Sequence, residues 1–197
     1  MEAKDLTCYI GLTAIYLMSV NVLLGLLMGV RYNPWKRWPH RRINILKLHN
    51  WSAYIALGLA VLHPIPLLFV EKPHFRFIDI VWPINSPEQP TVNMLGAIAL
   101  YLLAFTVITS IYRAEIGRQR WKPLHYLTYA LATLFIIHGT LTDQHLDNSP
   151  MDLLDAEKVG IMACGLVILI ASIWRARWAI KHPKYQPPAA QSQRLTA

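Results

Sequence analysis

The sequence predicts an all-α integral membrane protein built as a five-helix transmembrane bundle. Hydrophobic residues make up 54% of the 197 residues and charged residues only 15%, against about 25% charged in an ordinary soluble protein. Five long apolar runs also follow one another, each near or above the roughly 18 to 20 residues that a helix needs to cross a bilayer. These runs cover residues 6–30, 48–70, 92–111, 124–141 and 159–174.

The basic residues lie mostly on one side of these runs. Of 19 lysines and arginines, 15 fall in the connections 31–47 and 112–123 or after Trp174, whereas ten of the eleven acids fall on the other side. The positive-inside rule places the basic side in the cytoplasm. We therefore expect an outside N-terminus and a cytoplasmic C-terminus, with membrane lipid as the environment. The same distribution explains the net charge of +8 without nucleic acid as a partner.

The chain is predicted to form one membrane domain, residues 1–180, followed by a short cytoplasmic tail, residues 181–197. No glycine-rich dinucleotide fingerprint and no phosphate-binding loop is present. We therefore expect no flavin or nicotinamide site in this chain. The two cysteines, Cys8 and Cys164, stand alone in apolar runs, and we interpret them as small apolar fillers.

Four of the eight histidines lie inside two of the runs. His49 and His63 are fourteen residues apart in the second run, and His125 and His138 are thirteen apart in the fourth. The second and fourth runs cross the bilayer in the same direction, so His49 is level with His125 and His63 with His138. At 1.5 Å per residue, the two levels lie roughly 20 Å apart.

Two histidines at each level point to haem iron. Zinc would need three or four protein ligands, whereas a porphyrin already fills four positions around iron and leaves two for imidazoles. A histidine in a membrane helix can instead bond a neighbouring hydroxyl or carbonyl, but ionisable residues there are expensive and usually functional. Four histidines paired by level favour ligation, at an inner site (His49 and His125) and an outer site (His63 and His138).

The spacing of thirteen raises a geometric difficulty. In an ideal helix a step of fourteen leaves two residues about 40° apart, but a step of thirteen leaves them about 140° apart. Either the fourth helix is distorted, or two haems contact it from different sides. Basic residues near the inner histidines are candidates to pair with haem propionates, although topology explains them equally well: Arg42, Lys47, Arg120 and Lys122.

The histidine pattern resembles the ferric-reductase-like transmembrane domain, the membrane core shared by ferric reductases and NADPH oxidases. The pairs His49/His63 and His125/His138 match its haem ligands, and the basic segments RRINILK and RQRWKPLH are similar as well. Leu67 stands where oxygen-reducing members tend to carry a further histidine. The resemblance implies a stand-alone di-haem member in a bacterial inner (plasma) membrane, with two stacked b-type haems.

This resemblance implies transmembrane electron transfer, as the membrane haem subunit of an oxidoreductase. Electrons would come from a separate cytoplasmic flavoprotein or a quinol and leave to a periplasmic or extracellular acceptor. Two alternatives remain open. One is a quinol-oxidising cytochrome b anchor subunit of a larger respiratory complex, and the other is a transporter or scaffold whose histidines bind protons or metal ions.

The distribution of basic residues generates a topology prediction. A cysteine placed in the tail 181–197 should resist an impermeant thiol reagent on intact cells and react after the membrane is opened. Labelling of that cysteine on intact cells would contradict the expected orientation.

Overall fold

The computed structural model describes residues 3–33, 43–143 and 153–183, where the regular structure is helical. Five helical segments are long and apolar enough to cross a membrane, and each overlaps one of the five predicted runs. The prediction of a five-helix membrane protein is therefore confirmed. The spans are Ala3–Gly29, Ile45–Phe69, Pro90–Ile111, Arg118–Leu141 and Ala156–Lys181.

Two of the spans are interrupted and the connections hold short helical segments, so the described chain has eight α-helices and two short 3₁₀ turns. The turns are Ile65–Phe69 and Pro83–Asn85. The helices are α1 Ala3–Gly29, α2 Ile45–Leu62, α3 Phe77–Val81, α4 Pro90–Ile111, α5 Arg113–Ile116, α6 Arg118–His125, α7 Leu127–Leu141 and α8 Ala156–Lys181.

Local chemistry sets both ends of α2. The side-chain oxygen of Asn44 accepts hydrogen bonds from the backbone N–H groups of Leu46 and Lys47, which caps the start of the helix. Pro64 follows the last turn and has no N–H to continue the helical ladder. The helix therefore ends at Leu62, with His63 as its C-terminal cap, and the chain continues as a 3₁₀ turn.

The fourth span is distorted between its two histidines. α6 ends at His125 and α7 begins at Leu127. At the junction the Tyr126 N–H donates to the carbonyl of Pro123 at 3.1 Å, and the Tyr129 N–H donates to the carbonyl of Tyr126 at 3.1 Å. Such i→i−3 bonds raise the rotation from about 100° to about 120° per residue. This tightening turns His138 part of the way toward the side of His125. The fourth span is therefore distorted, as the first of the two alternatives expects.

One apolar core joins all five spans. α1 packs against α2, α7 and α8, and α4 packs against α7 and α2. Ala56 on α2 is fully buried and lies seven residues from both His49 and His63, a spacing that returns to nearly the same helix face. The buried core residues are Ile15, Met18, Ala56, Ala99, Leu103, Val107, Leu131, Ala132, Phe135, Ile161 and Ile168.

The two ends of the bundle differ in charge. We call the end that carries α5 and the start of α6 the basic end, and the opposite end the acidic end. At the acidic end Gln89 ties α4 to α7, because its amide donates to the Asp143 carbonyl at 2.9 Å and accepts from the Asp143 N–H at 2.7 Å. These bonds fix the relative height of the two helices next to the outer histidines.

The connection between α2 and α4 is held by a buried carboxylate. Asp79 on α3 is only 4% exposed and accepts from the backbone N–H of Arg76 at 2.9 Å and from its guanidinium at 3.1 Å. The side-chain hydrogen bond from Arg76 holds the pKa of Asp79 below its usual range. Its contribution to stability is therefore present above the usual carboxyl pKa and is lost as the pH falls through the lowered value.

Candidate functional site

The four histidines of the second and fourth spans form two facing pairs. The ring centroids of His49 and His125 lie 6.3 Å apart, with their planes at 72°. The ring centroids of His63 and His138 also lie 6.3 Å apart, with their planes at 79°. We call the pair nearer the basic end the inner pair and the other the outer pair. The structure thus brings together the residues that the sequence placed at the same levels.

In three of the four histidines, Nδ1 is held by a backbone carbonyl of a neighbouring helix. A carbonyl oxygen carries no proton, so Nδ1 must carry one and donate it. In the neutral imidazole the proton on Nδ1 leaves Nε2 as the bare nitrogen, free to bind a metal. The acceptors are Thr7 for His63 (2.9 Å), Val92 for His138 (2.8 Å) and Asn21 for His49 (3.1 Å).

A glycine stands four residues after each of these three carbonyls, one helical turn along the same helix. Its missing side chain leaves room for the imidazole. A Cβ added at Gly11 would lie 2.6 Å from Cε1 of His63, and one at Gly96 would lie 2.7 Å from Cε1 of His138. At Gly25 the added Cβ would lie 3.4 Å from Cε1 of His49. Carbonyl and glycine together form what we call a carbonyl–glycine clamp, strictest at the outer pair.

Asn21 adds a second link between α1 and α2 at the inner level. Its side-chain N–H groups donate to the carbonyl of His49 at 2.5 Å and to the hydroxyl of Ser52 at 2.8 Å. The backbone carbonyl of Asn21 accepts a hydrogen bond from Nδ1 of His49. Interhelical hydrogen bonds in membranes contribute about 0.6 kcal/mol each on average, so this set fixes the height of His49 more than it stabilises the fold.

His125 is the histidine held differently. Its Nδ1 lies 3.3 Å from the hydroxyl of Ser110, which also accepts a hydrogen bond of 3.3 Å from Nε1 of Trp121. The Trp121 ring stacks on the imidazole, with centroids 4.7 Å apart and planes at 28°. α4 and α6 thus supply a hydroxyl and an indole where the other sites use a carbonyl and a glycine.

Each histidine pair faces a cavity with a mostly apolar lining. The outer cavity has an empty volume of about 1120 Å³ and the inner cavity about 640 Å³, both including space open to the outside. Met18, Leu103 and Leu131 line both cavities, so one apolar layer of buried side chains separates the two levels.

The structure does not bring the predicted basic residues into the inner cavity. Lys47 and Arg120 are exposed, and the Lys122 ammonium lies 5.8 Å from the centre of the Tyr126 ring. None of these three lines the cavity of the inner pair. Arg42 lies outside the described residues. Pairing of these four residues with propionates therefore stays a prediction.

The clamp residues were not singled out from the sequence. Asn21 carried a usable signal, since a polar amide in the middle of a membrane span is rare and usually has a function. Gly11 and Gly25 are fourteen residues apart, the same step as His49 and His63. This matched spacing could have linked the first run to the second.

A five-span helical bundle with two facing histidine pairs defines a multi-pass membrane protein with two candidate cofactor sites. A family model described as ferric reductase like transmembrane component matches residues 10–136, more than half of the chain. The chain belongs to this family, which indicates a role in transmembrane electron transfer. The matched range includes His49, His63 and His125 and ends two residues before His138. Comparisons with curated proteins and with solved structures found no match.

The clamps generate a graded prediction. Gly11→Ala and Gly96→Ala should each displace the histidine ring beside them, with a cost of about 1–3 kcal/mol typical of an overpacked core. Gly25→Ala should cost less, because its Cβ has more room. The measurements are the thermal unfolding midpoint and the haem content of the purified variants.

Gly58 provides the matched control for these variants. It lies on α2 between the two histidines, and a Cβ added there meets nothing within 4 Å. Gly58→Ala should leave both measurements near wild type. Equal behaviour of Gly11→Ala and Gly58→Ala would contradict the clamp.

Proposed function

We propose that the protein binds two b-type haems and carries electrons across the bilayer between them. The inner pair, His49 and His125, would hold one haem, and the outer pair, His63 and His138, the other. The observation that carries this proposal is the equal separation of 6.3 Å between ring centroids at both levels. Two unrelated pairs of core histidines would not be expected to show the same ring separation at both levels.

The separation leaves room for one metal ion between the two imidazoles of each pair. Metal–imidazole bonds are about 2.0 Å long, so His49 with His125, and His63 with His138, could each hold an iron ion between rings 6.3 Å apart. The clamps support the same arrangement, because they hold the proton on Nδ1 and leave Nε2 for the metal. Hydrogen bonding of the distal ring nitrogen is the usual way in which proteins orient a ligating histidine.

The donor set argues for haem over a metal bound by protein alone. Among the residues that the structure describes, no group of three or more histidine, cysteine, aspartate or glutamate side chains could hold a metal ion. Two ligands are too few for a structural zinc site but are the number that a haem iron needs. Iron held in this way supplies one-electron redox chemistry.

The protein's own residues keep the two levels dry and separate. The layer of Met18, Leu103 and Leu131 lies between the cavities, and Ala56, which lines the inner cavity, is fully buried. Such a layer favours electron passage over the passage of ions, because an ion would lose its hydration there. This observation favours an electron-transfer subunit over a transporter.

The basic end fits a separate, acidic flavoprotein as the electron donor; a quinol is the alternative donor. Arg118 and Arg120 are exposed at the start of the span that carries His125, and Arg113 is exposed on α5 just before it. A field of one sign raises the association rate of an oppositely charged partner. The positive-inside rule places this end in the cytoplasm, so the acceptor, a small molecule or a partner in a larger complex, would meet the outer pair on the far side.

Removal of one outer ligand tests the haem assignment. His63→Ala should lower the haem-to-protein ratio from two to about one, with loss of the outer haem and retention of the inner. Quantified absorption spectra of the purified variant measure this. His182→Ala is the control, since His182 is exposed beyond the last span and should not matter. An unchanged ratio in His63→Ala would refute the pairing.

Electron donation should depend on a partner and on salt. The described residues form helices and short connections without a nucleotide-binding domain, so NADH or NADPH alone should not reduce the purified protein. With a suitable flavoprotein, reduction should slow as the Debye length falls from about 10 Å at 0.1 M salt to about 3 Å at 1 M. Stopped-flow absorbance measures both rates.

A charge-removal variant sharpens this test. Changing Arg113, Arg118 and Arg120 together to glutamine should slow reduction at low salt, whereas Lys72→Gln at the acidic end should not. Direct reduction by a nicotinamide without any partner would contradict the subunit interpretation. A salt-independent rate would contradict only the docking surface.

A further inference from the structure

The hydrogen-bond partner of His125 differs from the carbonyl–glycine clamp that the other three histidines share. Gly25 lies fourteen residues after Gly11 on α1, and Ser110 lies fourteen residues after Gly96 on α4. Ser110 thus occupies the position where a fourth clamp glycine would stand. The corresponding carbonyl, four residues earlier, belongs to Thr106, which lines the inner cavity together with Ser110 and His125.

The Ser110 hydroxyl also replaces the backbone carbonyl as the hydrogen-bond partner of Nδ1. Nδ1 of His125 lies 3.3 Å from the Ser110 hydroxyl rather than on a backbone carbonyl. The same hydroxyl receives the Nε1–H of Trp121 at 3.3 Å, while the indole ring covers the imidazole at 4.7 Å. With iron on Nε2, Nδ1 would carry the proton, and one oxygen would then be shared between two donors.

A shared hydroxyl is a weaker acceptor for Nδ1–H than a backbone carbonyl. The contact of Nδ1 with the Ser110 oxygen is longer, at 3.3 Å, than the contacts of the other three histidines with carbonyls, at 2.8–3.1 Å. The Ser110 oxygen also accepts from Trp121. The hydrogen bond from Nδ1 matters because it raises the basicity of the imidazole toward a metal on Nε2. A more basic imidazole stabilises ferric over ferrous iron and lowers the reduction potential.

We propose that Ser110 and Trp121 are positioning residues that weaken the hydrogen bond of His125 and so raise the reduction potential at the inner level. This proposal deepens the proposed function and rests on haem binding by His49 and His125. The outer level differs, because both of its histidines donate to carbonyls. A raised potential at the level nearest the basic end favours reduction there by a donor that docks at that end.

Three substitutions at position 110 test the proposal, with redox titration of the purified haem protein followed by absorbance. Ser110→Gly restores a clamp glycine and opens the way to the Thr106 carbonyl. That carbonyl now accepts from the Thr109 hydroxyl at 3.1 Å, but this hydroxyl also has the Phe105 carbonyl at 2.9 Å and can leave Thr106 to Nδ1. The inner potential should then fall below wild type. Ser110→Ala removes the acceptor and should raise it. Ser110→Thr keeps a hydroxyl and should stay near wild type. The outer potential, measured in the same titration, should not move.

Trp121→Phe isolates the contribution of the indole N–H. Phenylalanine keeps an aromatic ring on the imidazole but cannot donate to the Ser110 hydroxyl, which is then freed for Nδ1 of His125. The inner potential should fall in this variant, in the same direction as in Ser110→Gly. A structural defect at this site would loosen the ligand and move both variants the other way.

The outcomes separate this proposal from the one it rests on. Wild-type protein without haem would overturn the proposed function itself. Wild-type protein with two haems, together with an unchanged or raised inner potential in Ser110→Gly, would overturn only the role of Ser110 and Trp121. If Ser110→Ala releases the inner haem, the difference in inner reduction potential between Ser110→Gly and wild type tests the proposal.

Discussion

The hydrogen bond from Nδ1 of each histidine to a neighbouring helix is the interaction on which the site depends. A polar N–H buried in an apolar bundle must find an acceptor or lose several kcal/mol of hydration. The helix interior offers carbonyls that are already bonded along the ladder, but each has a second lone pair. A glycine one turn further along the helix exposes that lone pair to the imidazole, because no Cβ stands in the way.

This requirement explains the pairing of the helices. α1 supplies the acceptors for both histidines of α2, and α4 supplies those for the histidines of α6 and α7. Each histidine-bearing span therefore packs beside its own supporting helix. The two units meet at an apolar layer that includes Ala56 and Leu103. The two histidine pairs lie at two heights because the same fourteen-residue step separates the glycines of α1 and the histidines of the second span.

Much of the fold could be predicted from the sequence, since apolar length and basic distribution respond to the bilayer itself. The two histidine levels followed from the same helix geometry. The sequence did not predict the position of the break at Tyr126. It showed only that a step of thirteen residues between two histidines does not fit a straight helix. Gly11, Gly96 and Ser110 were not predicted, because their importance lies in the space and lone pairs that they present to another helix. The fourteen-residue step from Gly11 to Gly25 is a signal only when it is compared with the step in the second run.

The central claim is that four histidines hold two haems in one chain. Extraction and quantification of haem from the purified wild-type protein, combined with its reduced-minus-oxidised absorption spectrum, tests this most directly. The account predicts two b-type haems per chain with the low-spin spectrum of two imidazole ligands. Protein that is folded and helical but carries no haem, even when supplied with it during expression, would contradict the account.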